Sequence, residues 1–94
     1  FLIRGKNEKK IEISGKDLSE ESRHVLKGFF YSLKHWANRL HNVETVKLFV
    51  REEKGGGVFD AMLSLIPKKG VPTFIKREGK NLQKILKSIK IKKD

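Results

Sequence analysis

Lys10-Ile11-Glu12-Ile13-Ser14-Gly15-Lys16-Asp17-Leu18-Ser19-Glu20-Glu21 decides the fold, because the chain changes period within it. Ile11 and Ile13 alternate with Lys10, Glu12 and Ser14, the period-two pattern of a half-buried strand. Gly15-Lys16-Asp17 breaks the alternation. Ser19 followed by Glu20 and Glu21 then reads as a helix start: a hydroxyl accepts from free first-turn amides, and carboxylates favour the positive end of the helix dipole. From there Val25, Leu26, Phe29, Phe30, Leu33, Trp36, Ala37 and Leu40 form an apolar stripe at helical spacing, so a helix is predicted over Glu20–Leu40. Gly28 is its weak point, at about 1 kcal/mol relative to alanine. The aromatic residues of the stripe are read as core packing rather than a ligand pocket.

Downstream the period returns to two. Val46, Leu48 and Val50 alternate with Lys47, Phe49 and Arg51 in a strand over 43–53, and 58–66 resumes with Phe59, Ala61, Leu63 and Leu65 inward. Lys54-Gly55-Gly56-Gly57 between them predicts a hairpin loop. Pro67-Lys68-Lys69-Gly70 makes the next turn, and Val71–Arg77 forms a third consecutive strand in which Pro72 suits an edge. Leu82, Ile85, Leu86 and Ile89 then mark a short second helix with Asn81 as its cap.

The predicted order is β-α-β-β-β-α, an α+β fold with one four-stranded sheet and both helices packed on one face, similar in shape to double-stranded-RNA-binding domains. The first strand pairs in parallel with the second through a helical crossover, and the other pairs are antiparallel. Residues 1–9 are expected to be a tail or processing remnant, with an extra edge strand as the alternative for Phe1–Glu8. Residues 10–94 form the single domain.

Within 94 residues, 22 Lys and Arg against 11 Asp and Glu leave a net charge of +11. Residues 1–40 hold 9 basic and 5 acidic side chains, residues 41–70 hold 5 and 4, and residues 71–94 hold 8 and 2. The excess is therefore +4, +1 and +6 by segment, concentrated in the last quarter. A local basic surface of this kind points to a polyanion partner. Cysteine is absent, which removes disulfides, thiolate zinc sites and thiol catalysis and suits a reducing cytoplasm. No apolar run is long enough for a membrane span, so no membrane partner is expected.

Catalytic patterns are sparse. Gly55-Gly56-Gly57 lacks the Gly-Lys-Ser/Thr of a phosphate loop, and Asp60 has no neighbouring acid or base in sequence. His24 and His35 lie eleven residues apart on one helix, about 16 Å along its axis, too far to share an ion. We therefore expect no enzyme, metal, cofactor or small-molecule substrate. The basic residues do fall into stripes. Arg23, Lys27 and Lys34 follow spacing 0, 4 and 11 on the first helix, opposite its Phe and Trp stripe. Lys80, Lys84 and Lys87 follow 0, 4 and 7 on the second, continued by Lys90, Lys92 and Lys93. These lysines repel one another unless phosphates or counterions sit between them. With two helices side by side, the stripes are expected to flank a single basic surface suited to RNA backbone. Phe49, between Lys47 and Arg51 on the open sheet face, is either a stacking site for a base or a chance surface phenylalanine.

Three stretches resemble one known family. Ile11-Glu12-Ile13-Ser14-Gly15-Lys16-Asp17-Leu18 ahead of a long helix is similar to the opening of the ribosome hibernation-promoting factors, also called ribosome-associated inhibitors or the sigma-54 modulation family. Val58–Leu65 is similar to their third strand, and Arg77-Glu78-Gly79-Lys80-Asn81-Leu82 to the lead-in of their last helix. The resemblance implies a factor that binds the small ribosomal subunit in the channel of messenger and transfer RNA and silences idle ribosomes as part of a stress response. It places Arg23, Lys27, Lys34, Lys80, Lys84, Lys87 and Lys90 against ribosomal RNA. This chain departs from the family in a shorter last helix, in Asn81 where an acid is usual, and in a first helix that begins about a residue late. The alternatives are a general double-stranded RNA-binding module and a basic regulatory module that docks an acidic protein partner.

Overall fold

The computed structural model describes residues 1–6, 9–53 and 57–89. Its elements are β1 (Leu2–Lys6), β2 (Lys10–Lys16), α1 (Glu20–Asn38), β3 (Val43–Glu52), β4 (Phe59–Pro67), β5 (Thr73–Gly79) and α2 (Leu82–Ile89). The strands form one sheet in the order β1-β2-β3-β4-β5. Only β2 and β3 run parallel; the other three pairs are antiparallel.

The sheet therefore has five strands, which corrects the four-stranded expectation. Leu2–Lys6 is no tail: it pairs with β2, placing Ile3 opposite Ile13 and Gly5 opposite Ile11. Its inward positions are Ile3 and Gly5, so the strand shows almost no apolar alternation. Gly5 instead leaves room for an aromatic ring, since a Cβ there would lie 2.6 Å from Phe30 Cζ. Lys9, just beyond, donates from Nζ to the carbonyls of Ala37, at 2.7 Å, and Leu40. The lysine adds a charged donor at the C-terminal end of α1, where the Ala37 carbonyl also accepts from the Leu40 amide at 3.0 Å.

Alternation sorts the sheet into two faces. Ile11, Ile13, Val46, Leu48, Val50, Ala61, Leu63 and Leu65 are buried toward the helices. Leu26, Leu33 and Ala37 of α1, with Leu82, Ile85, Leu86 and Ile89 of α2, close the core from above. Packing of this kind stabilises by about 1.5–3 kcal/mol per large aliphatic side chain relative to its exposed state. At the start of α1, Ser22 N–H donates to Ser19 Oγ at 3.2 Å, the predicted cap. Glu52 at the end of β3 accepts from Ser22 Oγ at 2.8 Å and from the Ser19 amide at 3.3 Å, tying helix to sheet.

Gly15 and Lys16 continue β2 rather than ending it. The break falls at Asp17, whose φ of 58° is a left-handed conformation that short polar residues tolerate. Gly15 is required by crowding: a Cβ would meet Leu18 Cδ1 at 2.2 Å and the Val50 carbonyl oxygen at 3.1 Å. β3 and β4 pair as the hairpin reading requires, and Glu53 N–H donates to the Val58 carbonyl at 2.9 Å. Of the loop itself, Lys54, Gly55 and Gly56 lie outside the described residues. β5 begins two residues later than predicted because Pro72 has no N–H to pair.

Candidate nucleic-acid interface

Helix α2 is short, and its place is set by what it buries. Leu82, Ile85, Leu86 and Ile89 face β4 and β5, and Asn81 Oδ1 accepts from the Lys84 amide at 3.2 Å to cap the first turn. Lys84 and Lys87 consequently stand on the exposed side, with Lys80 exposed immediately before the cap. The helix carries no acidic residue, and among the described residues none forms an ion pair with Lys80, Lys84 or Lys87. Lys90 lies outside the described residues, as do Lys92 and Lys93.

The α1 stripe is placed differently from expectation. At about 100° per residue, Arg23, Lys27 and Lys34 lie about 60–100° round from the buried line through Leu26 and Leu33. They occupy a flank of the helix and are not opposite the core; His24, Tyr31 and His35 point outward. Phe30 belongs to the same flank and covers Gly5, so this flank faces the β1 side. Val25 lies on the other flank and lines a cleft with Glu21, Ser22, Glu52, Lys80 and Gln83, which is where α2 begins. The two stripes therefore do not border one surface. One sits above the β1 edge and the other on the back of α2, separated by a crease with two carboxylates in it. Which flank of α1 faces its neighbour depends on the Phe30–Gly5 contact, and helical periodicity carries no such information. Arg23 is also engaged locally: its Nε and Nη2 donate to the Leu18 carbonyl at 3.3 and 3.2 Å.

Among the described residues no element covers the opposite face of the sheet. The registers align Leu2, Ser14, Phe49, Met62 and Lys76 in one row, and Arg4, Glu12, Lys47, Ser64 and Phe74 in the next. Lys10 lies beyond the second row, and Lys16, Arg51, Asp60 and Glu78 beyond the first. Six basic residues outnumber three acids here, and one acid, Glu12, pairs with Arg4 at 3.4 Å. Asp60 and Glu78 are cross-strand neighbours; a hydrogen bond to the Asp60 carboxylate, with its charge, raises the Glu78 pKa above the ordinary 4.5. Phe49 occupies the open face as alternation predicts. Phe74, Lys76, Arg4 and Lys10 join it there without having been singled out in the sequence, although the period-two pattern of β5 assigns Phe74 and Lys76 to this side.

Among the described residues no group of three or more His, Asp or Glu side chains could hold a metal ion. No described helix is long and apolar enough to cross a membrane. The geometry defines an α+β domain with one mixed sheet, helices on one face and basic residues on three separate surfaces. No protein-family model matches the chain, and no curated protein sequence matches it either.

Proposed function

We propose that this protein is a cytoplasmic ribosome-associated factor that binds small-subunit ribosomal RNA and inhibits translation by occupancy, as in ribosome hibernation under stress. The observation that carries the reading is the back of α2, where Lys84 and Lys87 are exposed with no acidic residue on the helix and Lys80 is exposed just before it, at the edge of the crease. Clustered lysines without carboxylate partners gain most from phosphates, whose condensed counterions are released on binding. The separate stripe of Arg23, Lys27 and Lys34 supports the same reading. Basic surfaces facing different directions suit a channel with RNA on more than one wall better than one groove of a free duplex. The resemblance of Ile11–Leu18, Val58–Leu65 and Arg77–Leu82 to the hibernation-promoting family supplies the ribosome as the particular RNA.

Occupancy makes inhibition stoichiometric. In cell-free translation, half-inhibition is expected at protein concentrations near that of ribosomes, with relief by excess messenger RNA and initiation factors and with ribosomal RNA left intact. Full inhibition at a small fraction of the ribosome concentration, with cut or altered RNA, would replace this reading with an enzymatic one.

A further inference from the structure

The open sheet face carries chemistry that the helix-borne reading leaves unused. Phe49 is 38% exposed and Phe74 is 59% exposed, and among the described residues no element packs over either ring. They stand two strands apart and one two-residue step along, so their Cα atoms are about 12 Å apart on the diagonal. Met62 and Ser64, half-buried, floor the space between them. A shallow hollow of 410 Å³ opens beside Phe49 over Met62 and Lys76, with Asp60 and Glu78 lining its far side. Lys47 and Arg51 flank Phe49 along β3, Lys76 follows Phe74 along β5, and Lys10 and Arg4 extend the positive side toward β1.

We infer that this face binds single-stranded RNA, with bases stacked on Phe49 and Phe74 and phosphates on Lys47 and Lys76, while Arg51 lies opposite Asp60 at the boundary of the site. The site is distinct from the helix surfaces, because the sheet lies between them. Exposed rings with Lys47 and Lys76 beside them suit a polyanion that also presents apolar π-faces, and a single strand does so. A duplex does not, since its bases are already stacked on one another. A second copy of this chain fits poorly, because two such faces would each bring an excess of three positive charges, six basic residues less three acids, against the other. Asp60 and Glu78, adjacent beyond the Phe49 row, repel phosphate and bound the strand on that side.

The test uses the full chain with a labelled oligouridylate as single-strand probe and a short RNA duplex as control. Phe49→Ala and Phe74→Ala are each expected to lower oligouridylate affinity about tenfold or more, leaving duplex binding unchanged. The Lys80→Gln, Lys84→Gln, Lys87→Gln triple should do the reverse, so failure of this site and failure of the α2 surface read out separately. Phe74→Trp provides a measurement that does not depend on loss of binding. Its fluorescence should be quenched by saturating oligouridylate, whereas native Trp36, half-buried on α1, should not respond. Unchanged affinity in both alanine variants, absence of quenching, or sedimentation as a dimer broken by the same substitutions would overturn the proposal. The last result would assign the face to self-association.

Discussion

Replacing Lys80, Lys84 and Lys87 together by glutamine removes three exposed charges from one surface and leaves the core of α2 untouched. Each phosphate neutralised by a lysine contributes about 0.7–0.9 to the slope of log K against log salt. Three lost contacts should therefore flatten the slope by about 2–3. Relative to molar salt, where this contribution vanishes, the same contacts hold about two decades of affinity near physiological ionic strength, or about 3 kcal/mol. The fold should survive, because Leu82, Ile85, Leu86 and Ile89 keep their contacts and the repulsion between Lys84 and Lys87 is relieved. Relief of that repulsion stabilises by a few tenths of a kcal/mol, so the melting temperature should hold or rise slightly. The assay is fluorescence anisotropy of labelled small-subunit RNA over a series of salt concentrations, beside the Lys68→Gln, Lys69→Gln pair in the turn before β5. A triple variant with unchanged slope and affinity, or a turn pair that proves more damaging, would refute the placement of the binding charge on α2.

Two glycines on different elements should respond oppositely to alanine. Gly15→Ala drives a Cβ into Leu18 and toward the Val50 carbonyl and should cost about 1–3 kcal/mol in denaturant unfolding; Gly28→Ala on α1 meets nothing within 4 Å and should stabilise by up to about 1 kcal/mol. Glu78→Gln removes the carboxylate repulsion with Asp60. Because the Glu78 pKa is raised in the fold, the native state holds that proton more tightly than the unfolded chain, so the penalty is absent at low pH and grows as pH rises through the shifted value. The variant should melt at a higher temperature than the parent at neutral pH, and the difference should close in acid; a difference independent of pH would argue against the Asp60 contact.

The parts of the fold that the sequence states clearly are those in which one face alone is apolar. The α1 stripe from Val25 to Ala37 and the alternations of β3 and β4 fall at the expected residues because each buries a continuous line of side chains, although α1 ends at Asn38, two residues short of the predicted Leu40. β1 escapes such reading, since its inward residues are Ile3 and a glycine whose purpose is to receive Phe30. Which lysines share a surface is likewise hidden: Lys27 and Lys84 are both exposed by periodicity, but the side of α1 they are viewed from is set by tertiary packing. Phe74 was legible in principle, as an outward residue of an edge strand, and its importance emerges only when register places it beside Met62, Ser64 and Lys76.

Sedimentation of the protein with ribosomes through a sucrose gradient tests the central claim most directly. At low salt the protein should travel with small subunits and with idle whole ribosomes. It should move to the top of the gradient when the RNA is digested, when salt is raised, or when Lys80, Lys84 and Lys87 are replaced by glutamine. Protein that stays at the top beside intact subunits, or that binds an acidic protein after the RNA has been removed, would contradict a ribosomal RNA partner.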